Sequence, residues 1–196
     1  CITFPAILKA TEQYILPDNV PANEFMNLEG DKISTSRNWA VWLHEYLQEF
    51  PGREDELRYT LIANMPENKD SEFTWQDFQN RVNSELGNNL GNFVKRVSDL
   101  LHKFYDGVVP ELDWEEIVAS SSVEELGMPV FESRNAVNEY TVMFEQDLEL
   151  FHQDLLNFKF KDALRRIMTI SSKGNAFLQR NEPWIKIKSD KIGRAS

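Results

Sequence analysis

Seven apolar residues, Phe78, Val82, Leu86, Leu90, Phe93, Val97 and Leu100, recur at intervals of three or four with no proline among them. That period lays one apolar stripe along a helix from about Thr74 to Tyr105. At about 1.5 Å per residue the helix is a rod of about 45 Å. A rod of that length cannot cover its own stripe, so further helices must pack on it and the chain must contain a helical bundle. Thr74 is the expected N-cap, with Asp77 as its capping-box partner three residues on, and the turn at Asp106-Gly107 is the expected stop.

Partners for the rod are legible on both sides. NWAVWLHEYLQEF repeats Trp39, Trp42, Leu43, Tyr46, Leu47 and Phe50 at helical spacing before Pro51-Gly52 ends the run. Glu54 to Asn64 is a second helix, with Leu57, Leu61 and Ile62, followed by the polar connection MPENKDSEF. Downstream, helices are expected over Trp114 to Leu126, Phe131 to Leu156 and Lys159 to Arg180, with a break at Gly127-Met128-Pro129. The amino end reads differently. CITFPAIL suggests a strand running into a short helix, and residues 14 to 31 suggest a loop followed by one strand, Glu24 to Glu29, closed at Gly30. The class is mainly α, with a small α/β piece before the bundle; no repeat and no low-complexity tract interrupts it.

Hydrophobic content of 41% and 12% aromatics give a packed globular chain, although its formal charge is -11. No apolar run is long enough to span a bilayer and no basic-then-apolar leader opens the sequence, so a cytoplasmic protein without a membrane partner is expected. The single cysteine, Cys1, excludes an intramolecular disulfide and a Cys-rich zinc site. His44, His102 and His152 show no metal-ligand spacing. Residue 1 is not Met and falls inside an apparent element, so the start is expected to be a cut. The polar ending NEPWIKIKSDKIGRAS suggests the same of the carboxyl end. Charge is unevenly placed: Glu111 to Asp154 carries twelve acidic residues against Arg134 alone, and Asn157 to Ser196 carries ten basic against three acidic. A nucleic-acid partner would meet the second segment and avoid the first; both also read as ordinary solvated helix faces.

Against that acidic background the stretch Asp31 to Arg37, DKISTSR, is unusual. It puts Lys32, Ser34, Ser36 and Arg37 beside Gly30 and ahead of the expected Trp39 helix. Hydroxyls, cations and a helix amino terminus together suit a polyanion, although a Ser-rich cap alone has the same composition. Asn92 and Arg96, four apart on the long helix, share one face. An amide offers a base edge one donor side and one acceptor side, and a guanidinium offers a fork that also stacks. Without more context this pair reads first as an exposed polar face.

PANEFMNLEGDKISTSRNWAVW resembles the second signature of class I aminoacyl-tRNA synthetases, the Lys-Met-Ser-Lys-Ser loop, in the form found in methionyl-tRNA synthetases. The resemblance runs through CITFPAIL before it and LRYTLIANMPENKDSEFTWQDFQNRVNSELGNNLGNFVKR after it. It implies that Lys32, Ile33, Ser34, Thr35, Ser36 and Arg37 form an ATP-binding loop, with Lys32, Ser34 and Ser36 stabilising charge that develops during adenylate formation. Thr35 stands where the motif has its second lysine, and Arg37 is the neighbour available to compensate. The resemblance also implies that Asn92 and Arg96 read the methionine anticodon. Trp184, in Asn181-Glu182-Pro183-Trp184, would stack on an unpaired anticodon base, worth about 1–3 kcal/mol. Trp39, Trp42, Trp75 and Trp114 read as packing residues. Phe4 lines the methionine pocket in the family pattern and reads equally as core; aromatic edges suit a thioether.

The implied organisation is residues 1–52 as the end of a Rossmann-type catalytic domain with the loop at 32–36, 53–73 as a stem-contact connection, and 74–196 as an α-helical anticodon-binding domain. The parent enzyme would be a ligase using methionine, ATP with Mg2+, and tRNA(Met). The sequence holds no His-x-Gly-His, the first class I signature, and no zinc knuckle. This chain alone is therefore expected to retain no cofactor and to lack catalysis, any zinc lying elsewhere in the parent. A different class of reading makes the chain a helical protein-interaction module that binds through its acidic helices. The two separate on geometry, because only the RNA reading requires Trp184 near Asn92 and Arg96.

Overall fold

The computed structural model describes residues 2–109 and 134–185, with side chains in the second stretch from Val142. Cys1, Trp114, the helix expected over Trp114 to Leu126, the break at Gly127-Met128-Pro129 and the chain after Ile185 lie outside the described residues. In chain order the elements are α1 (Thr3–Thr11), β1 (Met26–Leu28), β2 (Asp31–Lys32), α2 (Leu43–Glu49), α3 (Glu54–Ala63), β3 (Ser71–Phe73), α4 (Trp75–Arg81), a π-helical segment (Val82–Gly91), α5 (Asn92–Tyr105), α6 (Arg134–Leu156) and α7 (Phe160–Asn181). The architecture is mainly α with one small sheet, as expected.

The rod is present. Thr74 Oγ1 accepts from the Asp77 main-chain N–H at 3.0 Å and so starts α4. The helix continues without a break through the π segment into α5, and ends where Asp106 turns left-handed at φ 54°. The π turns are not legible in the apolar spacing, because the four-residue interval from Val82 to Leu86 to Leu90 fits an α turn and the wider π turn alike. Helix α7 packs against the rod at Gly174, where a Cβ would sit 2.4 Å from the Phe93 ring. Helix α6 pairs with α7 through Asp147 to Lys173 and Asp154 to Arg166. Those pairs run in opposite order along the two helices, which are therefore antiparallel.

At the amino end the structure departs from expectation in three places. CITFPAIL contains no strand; α1 starts at Thr3, buries no residue, and leaves Phe4 67% exposed. The helix expected from Trp39 begins only at Leu43. Its intended first turn is consumed by a bridge, in which Ser34 and Trp39 exchange two main-chain bonds of 2.9 Å and Asn38 turns left-handed at φ 53°. Third, two further strands exist. β2 pairs antiparallel with β1, and β3 pairs parallel with it, Leu28 opposite Phe73. Strands of two and three residues are too short to show alternation in sequence; they exist because β1 offers both edges.

The sheet and three helices close one core of Leu28, Tyr46, Leu57, Phe73 and Phe78, flanked by Met26, Val41, Phe50 and Val82. Burying each large side chain contributes about 1.5–3 kcal/mol. Trp75 stands edge-on to Phe73 at 5.3 Å and to Phe78 at 5.7 Å. The core thus draws on β1 and α2, on α3 and β3, and on the start of the rod, tying the loop-bearing end to the bundle. Among the described residues no helix is long and apolar enough to cross a membrane.

Candidate functional site

The Asp31–Arg37 stretch forms the outer part of a hairpin. Lys32 stands on β2 with its ammonium 4.9 Å from the centre of the Phe25 ring. Ser34 and Trp39 form a separate isolated bridge beyond the β1–β2 ladder, and the turn it spans closes with Asn38 N–H donating to Thr35 O at 3.1 Å. Ser34 and Ser36 hydroxyls lie 3.2 Å apart. Ile33, Thr35 and Ser36 are exposed. The loop does not open a helix, α2 starting only at Leu43, so no helix terminus favours an anion here. What remains is two hydroxyls, a lysine and turn amides.

Arg37, the neighbour available to compensate for the lysine missing at Thr35, is engaged within the loop itself. Its guanidinium donates to Asp31 Oδ2 at 2.8 Å and to the Lys32 carbonyl at 3.0 Å, bracing the base of the hairpin. The hydrogen bond from Arg37, with that from the Lys32 main chain, holds the Asp31 carboxyl below the usual carboxylate range. Lys32 is therefore the cation of the loop without a carboxylate partner among the ion pairs of the described residues.

The second constellation sits where the π segment passes into α5. Asn92 and Arg96 lie one turn apart, and α7 presents Asn175 and Gln179 at the same spacing opposite them. Asn92 Nδ2 donates to Asn175 Oδ1 at 3.1 Å, and Arg96 Nη2 donates to Gln179 Oε1 at 2.8 Å. Beyond α7 the chain turns at Glu182, φ 44°, and buries Pro183. That turn brings the half-buried Trp184 back so that the Arg96 guanidinium lies 5.3 Å from its ring centre. An amide, a planar cation and an indole thus converge at one end of the bundle, with Lys95 alongside paired to Asp99 at 2.7 Å. The arrangement offers hydrogen-bonding edges together with a stacking plane.

Asn89, Asn175 and Gln179 are the residues that sequence reasoning missed. The signal was available: Asn175 and Gln179 repeat the four-residue spacing of Asn92 and Arg96, as two facing helices need for rung-by-rung pairing. Phe4, by contrast, stands exposed on α1, a helix that buries no residue. Trp39 and Trp42 anchor the hairpin, their indole N–H groups donating to Leu28 O at 3.0 Å and Asn38 Oδ1 at 2.9 Å. Of the basic carboxyl-terminal segment, Arg165, Arg166 and Lys173 are each bound to a carboxylate. No three His, Cys, Asp or Glu side chains gather as a metal cluster among the described residues.

The family description "tRNA synthetases class I (M)" matches residues 1–98, and the chain belongs to that family. It is similar to proteins named methionine--tRNA ligase. Identity is 51% over 190 residues to that of Porphyromonas gingivalis, covering 97% of this chain and 25% of the relative. It is 52% over 184 residues to that of Cytophaga hutchinsonii, 94% of this chain and 24% of the relative. It is 47% over 190 residues to that of Flavobacterium psychrophilum, 97% and 25%. The chain spans about a quarter of the length of the curated relatives it matches.

Proposed function

We propose that this chain is the tRNA-reading part of a methionine--tRNA ligase, which activates methionine with ATP and Mg2+ and transfers it to tRNA(Met) in the cytoplasm. Asn92 and Arg96 hydrogen-bond anticodon bases and Trp184 stacks on one of them. The observation that carries the reading is the convergence of Arg96 and Trp184 at 5.3 Å, with Asn92 one turn away on the same face. The protein-interaction reading does not require Trp184 there, so this separation favours RNA. Lys32, Ser34 and Ser36 grip the ATP phosphates while Ile33 and Thr35 shape the loop and Arg37 braces it. One hairpin of that kind is not an active site, and the chain alone forms no adenylate.

Binding of the chain to a methionine-tRNA anticodon hairpin, compared with a hairpin of scrambled loop sequence, tests the first part. Preference for the true loop is expected, with affinity falling as salt rises. Equal binding to both loops removes the anticodon reading. ATP–pyrophosphate exchange with methionine tests the second part, and measurable turnover by these 196 residues refutes the inactive-fragment claim.

A further inference from the structure

An asparagine that reads a base has two opposite faces: its oxygen only accepts and its nitrogen only donates. Asn92 is exposed, and an isolated amide at that place is free to present either. A chain of groups behind it removes the choice. The main-chain carbonyl of Met168 on α7 accepts from Asn89 Nδ2 at 2.9 Å. Asn89 therefore turns Oδ1 away from Met168. Asn175 directs its own Nδ2 to the Asn89 main-chain carbonyl at 2.9 Å, with Asn89 Oδ1 at 3.4 Å. Both are acceptors, so Asn175 must aim its oxygen the other way, and there it receives Asn92 Nδ2 at 3.1 Å. Two main-chain carbonyls, which cannot donate, fix the polarity of every link.

We propose that Asn175 is a positioning residue for base selection, an inference that rests on the anticodon reading above. It holds Asn92 with one N–H committed to α7 and the carbonyl oxygen turned outward. An outward acceptor selects a base carrying an exocyclic amine, cytosine or adenine, over the matching keto base, uracil or hypoxanthine, whose oxygen meets it lone pair to lone pair. Gln179 gives Arg96 a parallel tether, so the fork and the amide are oriented by one helix face.

The test uses the full chain and methionine-tRNA anticodon hairpins in which each anticodon cytosine is replaced by uracil, or adenine by hypoxanthine. The unaltered protein binds one such hairpin roughly tenfold more weakly than the parent hairpin. Asn175→Ala lets Asn92 flip, and that ratio falls to roughly two- or threefold. Asn175→Asp still offers Asn92 an acceptor, so the ratio persists although the added charge weakens binding to both hairpins. A merely structural role predicts the reverse order, because a carboxylate against the Asn89 carbonyl disturbs packing more than alanine does. Circular dichroism melting checks both variants, and Asn175→Ser, too short to reach Asn92, replaces the alanine variant if that one melts early. Retained discrimination in Asn175→Ala, or its loss in Asn175→Asp, overturns the inference while leaving the anticodon reading intact. Equal binding of the unaltered chain to true and scrambled loops overturns both.

Discussion

Gly174→Ala is the sharpest test of how the bundle holds its candidate site together. The added Cβ would lie 2.4 Å from Cε2, 2.5 Å from Cζ and 3.0 Å from Cδ2 of Phe93, far inside contact distance. Either the ring turns out of its half-buried seat or α7 backs away from α5; each loses a packed contact. Overpacking of this kind costs about 1–3 kcal/mol, and this contact belongs at the upper end. Replacing glycine by alanine inside a helix returns about 1 kcal/mol of propensity. The net loss is about 2 kcal/mol, a fall of about 4–8 °C in Tm for a chain of this size. Thermal unfolding followed by circular dichroism measures it. In a Phe93→Leu background the obstructing ring edge is gone, and the alanine penalty should shrink by more than about 1 kcal/mol. An unchanged or raised Tm in the single variant, or strict additivity in the double, refutes the close-approach argument. Because Asn175 and Gln179 follow Gly174 on α7, the same variant should weaken binding to an anticodon hairpin.

Three other outcomes follow from the charged groups. Burial pushes Asp77 up, but the Asn64 amide and the Arg81 guanidinium outweigh it and hold its carboxyl below 3.8. Its contribution is therefore complete above pH 3.8 and is lost as pH falls through the lower folded value; the Tm gap between the protein and Asp77→Asn should close on acidification. Burial first, then the hydrogen bond to Glu85, raises the Tyr59 hydroxyl well above 10. Its contribution is present below pH 10 and fades above it, so Tyr59→Phe should flatten the alkaline fall in Tm. Arg37→Ala removes the largest influence lowering Asp31, and the carboxyl titration followed by NMR should move up toward 3.8.

The sequence by itself determined the long rod, its Thr74 cap, α3 and α7, because helical period and capping are local properties that one stretch of chain carries complete. It pointed to Asn92, Arg96 and Trp184 only through the resemblance to class I synthetases, and to Lys32 and Ser34 through a composition that a helix cap shares. It did not determine how those groups are oriented. In sequence the loop stands ready to open a helix, yet the Ser34–Trp39 bridge keeps the helix away until Leu43. In sequence Arg37 is a free-standing cation, whereas in the structure it pairs with Asp31. The two short strands appear only because β1 has edges to satisfy, and Trp184 reaches Arg96 only because α7 lies against the rod and the chain turns at Glu182. Only the tertiary structure decided these points: hydrogen-bond partners such as Asn175 stand 83 residues from Asn92, and the polarity of such a bond depends on both ends.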